Sequence, residues 1–251
     1  MAQNIYDRPD FFAGYNRLER STEGLHGAVE WPSMRALLPP MAGLRVVDLG
    51  CGFGWFCRWA REQGAASVLG LDLSENMLSR ARAMTSDLAI TYQRVDLERL
   101  TLPPNGFDLA YSSLALHYLP DIGPLFGTLR QALVPGGRLV FSVEHPILTA
   151  PVRQAWSTDA EGRPVWPLNG YLDEGQRTSD WLSEGVVKYH RTIGTTLNTL
   201  IQNGFMLSSL QEYGATPDQI AVRPEWARER ERPLFLLVAA QASGNSMTMP
   251  S

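Results

Sequence analysis

The amino-acid sequence predicts an α/β protein whose core is a doubly wound, mostly parallel sheet. The first observation is that short apolar segments alternate with helical segments between residues 44 and 145. Strands that alternate with helices in this way form a parallel sheet with right-handed crossovers. The second observation is a turn with glycine at positions 50, 52 and 54, which joins the first apolar segment to a helix. Such a turn brings backbone amides to the carboxyl end of a strand, where α/β proteins bind ligands.

The predicted elements follow one another in a regular order. The second strand is almost unbroken in its apolar character, as expected for a strand buried on both faces. Ser74 is the predicted N-cap of the helix that follows this strand. Residues 147–185 show no clear helical or strand period. Helices are expected at 29–38, 54–63, 75–84, 122–133 and 192–203, and strands at 44–49, 67–73, 90–95, 107–112, 138–143, 205–212 and 234–240.

A polar side chain stands at the exit of each of the first five predicted strands. Because the carboxyl ends of parallel strands meet at one edge of a sheet, these side chains are expected to surround a common site. Five polar residues at the same edge of the sheet are stronger evidence for a ligand site than any one of them alone. The residues are Asp48, Asp72, Asp96, Ser112 and Glu144.

Length, composition and charge narrow the class of protein. The 251 residues suffice for one sizeable domain, and 44% of them are hydrophobic. A net charge of −4 argues against a dedicated nucleic-acid binder, so no nucleic-acid partner is expected. No apolar run reaches the length of a membrane span, so no membrane partner is expected either. The only cysteines, Cys51 and Cys57, indicate a reducing cytoplasm, and no Cys/His spacing indicates zinc.

The glycine turn has a distinctive spacing. It reads D-x-G-x-G-x-G from Asp48 to Gly54, whereas a dinucleotide-binding fingerprint reads G-x-G-x-x-G. A bound phosphate would not favour an Asp two residues before the first glycine, but a ligand that carries an ammonium group would. A flavin or nicotinamide protein, or a turn without a ligand, remains an alternative at this point.

This stretch resembles the first motif of class I S-adenosylmethionine (SAM) methyltransferases. The resemblance covers residues 44–145 by motif and the last strands by pattern. It implies a Rossmann-like, seven-stranded sheet with an antiparallel last strand. It also implies SAM as the cofactor and S-adenosylhomocysteine as its product. The expected organisation is an N-terminal helical cap at 1–40, a SAM-binding core at 41–146, a substrate lid at 147–190, completion of the sheet at 191–241 and a flexible tail at 242–251.

The resemblance also implies roles for particular residues around the cofactor. An acid that ends the second strand binds both ribose hydroxyls, since a carboxylate accepts two charge-assisted bonds, and here it is Asp72. The acid after the third strand binds the adenine amino group. Without a ligand, either acid would be an ordinary loop or helix-start carboxylate. The full expected set is Tyr15, Asp48, Gly50, Cys51, Gly52, Asp72, Leu73, Met77, Asp96, Leu97 and Ser112.

Methyl transfer from SAM is an in-line displacement that needs no metal, so no metal site is expected. The protein must align the acceptor and, where the acceptor carries a proton, remove it. His117 and His145 follow adjacent strands and are expected to point at the cleft, where either is a candidate base or substrate ligand. Glu144 is a candidate to orient or replace His145, or to bind a substrate amine. Each histidine has an alternative structural role.

The irregular segment 147–190 is the candidate substrate lid. A long irregular segment within a compact domain is usually functional or disordered, and the aromatic content argues against disorder. Its expected substrate-binding residues are Trp156, Tyr171, Trp181 and His190, together with His117 and His145. A structural flap or a dimer contact is the alternative.

The sequence therefore predicts a SAM-dependent methyltransferase that acts on an oxygen or nitrogen of a small molecule. After the fourth strand the chain reads Ser112-Ser113-Leu114-Ala115. It lacks the Asn-Pro-Pro-Tyr type of sequence that many base- or glutamine-methylating enzymes carry. A tRNA or protein methyltransferase, a non-catalytic SAM- or S-adenosylhomocysteine-binding protein, and a nicotinamide enzyme are the alternatives. The expected state is a monomer or homodimer, and the acceptor stays open.

Overall fold

The computed structural model describes residues 3–244. The α-helices are α1 Pro9–Tyr15, α2 Glu19–Thr22, α3 Trp31–Leu37, α4 Trp55–Glu62, α5 Glu75–Ala83, α6 Gly123–Ala132, α7 Pro146–Thr149, α8 Ile193–Gln202 and α9 Pro217–Val222. The strands are β1 Arg45–Leu49, β2 Ser67–Asp72, β3 Ile90–Arg94, β4 Phe107–Ser113, β5 Leu133–Glu144, β6 Ser157–Thr158, β7 Pro164–Val165, β8 Gly175–Ser179, β9 Val186–His190, β10 Phe205–Tyr213 and β11 Phe235–Ala242. Short 3-10 helices lie at Ile5–Asp7, Gly24–Gly27, Leu97–Arg99, Leu116–Tyr118 and Pro224–Arg230. Most of the expected tail, from 245 onward, lies outside the described residues.

The central sheet has seven strands in the order β10-β11-β5-β4-β1-β2-β3. The pairs from β5 to β3 are parallel, and β11 is antiparallel to both of its neighbours. The predicted α/β sheet with an antiparallel last strand is therefore confirmed. The order places the carboxyl ends of β1, β2, β4 and β5 at one edge.

Two hydrophobic layers cover the two faces of this sheet. On one face, Phe126 and Leu129 of α6 and Leu200 of α8 pack against the strands. On the other face, Met34 of α3 and Phe56 of α4 pack against them. Adjacent residues of β1 point into opposite layers, which explains why this strand reads as a continuous apolar run rather than as an alternating one.

The structure of residues 147–190 is more regular than the sequence indicates. The pair β6–β7 and the pair β8–β9 are both antiparallel. The residues of β6, β7 and β8 are exposed or half-buried, so neither face of these strands is uniformly apolar. β9 does have a buried face, but its residues are Val186, Lys188 and His190, so none of the four strands shows the apolar alternation that would predict a hairpin. No helix within residues 3–244 is long and apolar enough to cross a membrane.

Candidate active site

A cavity of about 1000 Å³ lies at the carboxyl ends of the sheet strands. Its walls come from four parts of the chain: the N-terminal helices, the strand exits, the segment 147–190 and the residues that lead into β11. This volume is at the upper end of the range for small-molecule sites. The cavity therefore has room for a cofactor and a second small molecule.

The glycine turn forms one wall of the cavity through Gly50 and Gly52. Both residues and Gly54 have positive φ angles, of 75°, 52° and 72°, which favour glycine. The amides of Gly50 and Cys51 both donate to the carbonyl of Leu71, which ties the turn to β2. A Cβ on Gly52 would have nothing within 4 Å, whereas a Cβ on Gly54 would lie 2.1 Å from the Tyr92 hydroxyl.

We expect Gly54→Ala to lower the free energy of unfolding by about 2 kcal/mol, because it adds a clash to backbone strain. Gly52→Ala is the matched control, since it adds strain alone and is expected to cost about 1 kcal/mol. Urea denaturation of the two variants without ligand measures the difference. Equal losses would show that Tyr92 moves aside without cost.

Asp72 is held in a fixed orientation at the cavity wall. One carboxylate oxygen accepts from the amide of Gly52 and the other from the amide of Ser74, both at 2.9 Å. Burial raises the pKa of this carboxyl, in spite of these two amides. The predicted cofactor residues Tyr15, Gly50, Gly52, Asp72, Leu73, Met77, Asp96 and Leu97 all line the same cavity.

Asp48 and Cys51 lie behind the turn rather than on this wall. Both line a smaller adjoining space of about 90 Å³, together with Gly50 and Gly52. Asp48 is 2% exposed and accepts from the Cys57 thiol at 3.2 Å. Burial raises the pKa of Asp48 to about 7.

Ser112 does not reach the cavity, contrary to the sequence-based expectation. It is fully buried and its hydroxyl donates to the carbonyl of Leu49 at 2.8 Å. The next residue, Ser113, lines the cavity instead. Successive side chains of a strand point to opposite faces, so an error of one residue places the wrong serine at the site.

Glu144 lines the cavity and forms a buried ion pair with Lys188. The distance from Oε1 to the Lys188 Nζ is 2.5 Å, and the Lys188 ammonium lies 5.0 Å from the ring centroid of Trp181. The other oxygen, Oε2, is buried and has no hydrogen-bond partner within residues 3–244. Burial opposes ionisation of Glu144, but the charge of His117, which is protonated only in acid, and the charge of Lys188 outweigh burial and lower the pKa of Glu144. Glu144 therefore lines the cavity, while its unpaired Oε2 is itself covered by protein.

His117 lies beside Glu144 on the same wall. Its Nδ1 accepts from the backbone amide of Glu144 at 3.4 Å. Burial lowers the pKa of His117 to about 4, so its ring is neutral at physiological pH. The structure therefore brings together two of the three predicted catalytic candidates.

The third candidate, His145, points away from the cavity, so the prediction that it faces the cleft is wrong. Its ring is fully buried, with Nε2 lying 2.9 Å from Oε1 of Glu212 on β10. Its Nδ1 accepts from the amide of Ile147 and so caps α7. Because Glu144 faces the cavity, its neighbour at the end of the strand faces the other way.

His190 and Tyr171 are not brought to the cavity either, so both predictions as substrate ligands are wrong. The Nδ1 of His190 lies 2.8 Å from the Thr149 hydroxyl, and its Nε2 lies 2.9 Å from the Tyr171 carbonyl. These contacts fasten β9 to the preceding loop and to α7. Trp156 and Trp181, by contrast, line the cavity as predicted.

Several residues of the site carried no recognisable signal in the sequence. Asp7 accepts from the Ser74 hydroxyl at 2.5 Å and from the Asn76 amide, so the N-terminal segment holds the start of α5. Arg20 donates to the buried Glu30 at 2.7 Å. Lys188 and Arg232 also line the cavity. Their partners are distant in sequence or irregular in spacing, so no local pattern indicates these contacts.

No group of three or more His, Cys, Asp or Glu side chains within residues 3–244 is arranged to hold a metal ion. The cavity is instead lined by glycine amides, carboxylates and aromatic rings.

A methyltransferase-domain family model matches residues 47–141. An S-adenosylmethionine dependent methyltransferase from Mesorhizobium loti is 62% identical, with a TM-score of 0.84 over 87% of this chain and 100% of that chain. One described as a putative S-adenosylmethionine dependent methyltransferase from Listeria monocytogenes is 40% identical, with a TM-score of 0.79 over 86% and 99% of the two chains.

Relatives among curated proteins extend this similarity. An uncharacterized protein of Haemophilus influenzae is 33% identical over 95% of this chain and 96% of its own length. A malonyl-[acyl-carrier protein] O-methyltransferase of Pectobacterium atrosepticum is 34% identical over 152 residues, which cover 61% of this chain and 54% of that protein. The second match therefore spans only about half of that enzyme.

The residues at the cavity fit the cofactor of this family. Gly52 leaves open space where any other residue would place a Cβ. Asp72 is half-buried, and each of its oxygens accepts from one backbone amide, which leaves acceptor capacity for hydroxyl groups. On the similarity of the whole chain to solved relatives and the fit of this cavity, the protein belongs to the SAM-dependent methyltransferase family, whose cofactor is S-adenosylmethionine.

Proposed function

We propose that this protein transfers the methyl group of SAM to an oxygen or nitrogen of a small molecule, with Glu144 as the proton acceptor. The observation that carries the proposal is that Glu144, whose Oε2 has no hydrogen-bond partner within residues 3–244, lines the same cavity as the predicted cofactor residues. Bound SAM supplies a methyl group on a sulfonium, which leaves as a neutral thioether. The acceptor must then lose a proton to a nearby base.

The cofactor half of the cavity is proposed to lie over β1, β2 and β3. Asp72 would accept from both ribose hydroxyls, and Asp96 with the Leu97 amide would bind the adenine edge. Leu73 and Met77 would flank the ring. Gly50 and Gly52 would leave room for the methionine portion, and Tyr15 would close over it. The fact that all of these residues line one continuous cavity supports the assignment.

The acceptor half is proposed to lie over β4 and β5, beside Glu144 and His117. The lowered pKa of Glu144 keeps its carboxylate ionised at neutral pH, and at that pH the His117 ring beside it is uncharged. Trp156 and Trp181 belong to the proposed lid, 147–190, and would exclude water from the reacting groups.

The choice of a small molecule is supported by the walls of the cavity and by the charge of the chain. Four parts of the chain surround the cavity, and the net charge of −4 disfavours tRNA. The partial match to a malonyl-[acyl-carrier protein] O-methyltransferase favours, as a second candidate, a carboxylate delivered on a carrier protein. A cytoplasmic location is proposed because both cysteines are free and buried.

The test combines cofactor binding with an acceptor screen. We expect calorimetry to show micromolar binding of S-adenosylhomocysteine and no binding of NAD. Incubation with methyl-labelled SAM and a panel of small O–H, N–H and carboxylate acceptors is expected to yield one labelled product. If that acceptor is an O–H or N–H compound, Glu144→Gln should reduce kcat at least tenfold while the affinity for S-adenosylhomocysteine stays within twofold, whereas a carboxylate acceptor has no proton to lose and needs no base.

The matched control is Glu161→Gln, which changes an exposed glutamate of the lid segment. Full activity of Glu144→Gln would remove Glu144 as the proton acceptor. Tight S-adenosylhomocysteine binding without transfer to any acceptor would favour the non-catalytic binding protein instead, and transfer only to tRNA or to a protein would overturn the small-molecule assignment.

A further inference from the structure

Arg232 is a buried cation at the end of the cavity that the cofactor assignment does not use. It lies three residues before Phe235, the first residue of β11, lines the cavity and is 8% exposed. Its Nη2 donates to Glu229 at 3.0 Å. Its Nε and Nη1 are both buried, and neither has a hydrogen-bond partner within residues 3–244. Unsatisfied buried donors on a charged group are costly, so their retention requires an explanation.

Two indole rings hold the Arg232 guanidinium in place. Its Cζ lies 4.0 Å from the ring centroid of Trp166 and 5.1 Å from that of Trp156. Trp166 is itself fixed, because its indole N–H donates to the carbonyl of Ile147 at 2.9 Å. Contacts with aromatic faces satisfy the charge in part but accept no N–H hydrogen bond in the plane of the guanidinium.

The charges around Arg232 leave this end of the cavity positive. The carboxylate of Glu229 is shared, since it also accepts from Arg228 at 3.2 Å. Arg153 lines the same cavity. Glu144, the next carboxylate along this wall, is already paired with Lys188. The carboxylates present therefore do not neutralise the arginines.

From this arrangement we infer that Arg232 binds an anionic group, a carboxylate or a phosphate, on the methyl acceptor. The inference rests on the proposed function and specifies its substrate class. A guanidinium has only donors, and its planar fork matches the oxygens of either anion. The acceptor is thus an anionic small molecule whose O–H or N–H group lies at Glu144.

The sheet order separates this subsite from the cofactor. Phe235 pairs directly with Glu144, so the start of β11 adjoins the proposed acceptor site. The turn at Gly50, which would face the methionine portion of the cofactor, follows β1, and β1 is three strands from β11. At about 4.8 Å per strand this separation is about 14 Å. The carboxylate of the cofactor is therefore not the anion that Arg232 binds.

The test is calorimetric titration of the full chain saturated with S-adenosylhomocysteine, at constant ionic strength. The probes are phenylacetate and phenyl phosphate as anions, and phenylacetamide as their neutral counterpart. We expect at least one anion to bind at least tenfold more tightly than the amide. Arg232→Met should abolish this preference, and Arg232→Lys should keep part of it because a charge remains. The anion preferred distinguishes a carboxylate acceptor from a phosphate acceptor.

Arg163→Met is the control, since Arg163 is an exposed arginine in the lid segment and should leave the preference unchanged. Equal binding of the amide and the anions, no binding of either anion, or an unchanged preference in Arg232→Met would overturn the inference. S-adenosylhomocysteine affinity, measured first in every variant, separates the outcomes. If the wild type does not bind S-adenosylhomocysteine, the proposed function itself is overturned. If Arg232→Met still binds S-adenosylhomocysteine, the variant is folded.

Discussion

Replacing Asp72 with Ala is expected to weaken S-adenosylhomocysteine binding about a hundredfold, or about 2.7 kcal/mol. The two carboxylate oxygens are held by the amides of Gly52 and Ser74, so they keep one orientation toward the cavity without a ligand. Hydrogen bonds to a charged group contribute roughly 1.5–3 kcal/mol each, and the ribose offers two hydroxyls. The carboxylate is also held in place before the cofactor binds, which reduces the cost of ordering it.

Calorimetric titration measures this effect, and two further variants make it interpretable. Asp72→Asn keeps the shape of the side chain but loses its charge, so an intermediate loss of affinity is expected. Asp87→Asn changes a surface acid that pairs with Arg61 and should leave affinity unchanged. Thermal unfolding confirms that each variant is folded. An affinity within twofold of the wild type for both Asp72 variants would contradict the ribose assignment.

The central fold was predictable because its signals are local. The strands β1, β2 and β4 are buried on both faces, so each appears as an apolar run that ends at a turn. The glycines of the cofactor turn are recognisable because positive φ angles select for glycine. Asp72 is the last residue of β2 and Asp96 lies two residues after β3, so their place at the edge of the sheet follows from topology alone.

The burial of both faces of these strands also explains why some site residues were predicted with the wrong orientation. Where both faces are apolar, the sequence does not reveal which of two adjacent residues faces the ligand. The sequence predicts Ser112 as a cofactor residue and expects His145 to point at the cleft, but Ser113 and Glu144 are the residues that line the cavity, because neighbouring side chains point in opposite directions. In a strand with one exposed face, the alternation of polar and apolar residues would show which residues point toward the ligand.

Contacts across long sequence separations were beyond prediction for a different reason. Lys188 meets Glu144 across 44 residues, and Asp7 meets Ser74 across 67. Neither contact repeats with a helical or strand period, so no local pattern indicates the partner. Arg232 similarly follows a short irregular helix, and only the fold places it against Trp156 and Trp166.

Replacing Asp48 with Asn is expected to stabilise the protein without ligand at pH 8 by up to about 4 kcal/mol. Burial raises the pKa of Asp48 to about 7, although the Cys57 thiol donates to it. In an unfolded chain the pKa of Asp is about 3.9. The folded protein therefore holds this proton to a higher pH than the unfolded chain, and its stability falls as the pH rises from about 4 to about 7. Three pH units, at about 1.4 kcal/mol each, give the expected magnitude.

Urea denaturation at pH 8 and at pH 5 tests this expectation, because the gain from Asp48→Asn should be largest at pH 8 and shrink as the pH falls. Asp87→Asn should show no such gain, since the Arg61 guanidinium lowers the pKa of Asp87. A destabilised Asp48→Asn at pH 8 would show that the carboxylate is ionised at little cost. The cofactor carries an ammonium group that favours the ionised form of Asp48, so the stabilising variant should also bind S-adenosylhomocysteine more weakly. Weaker binding by Asp48→Asn would support the proposal that a carboxylate which lowers the stability of the free protein at neutral pH serves the bound state.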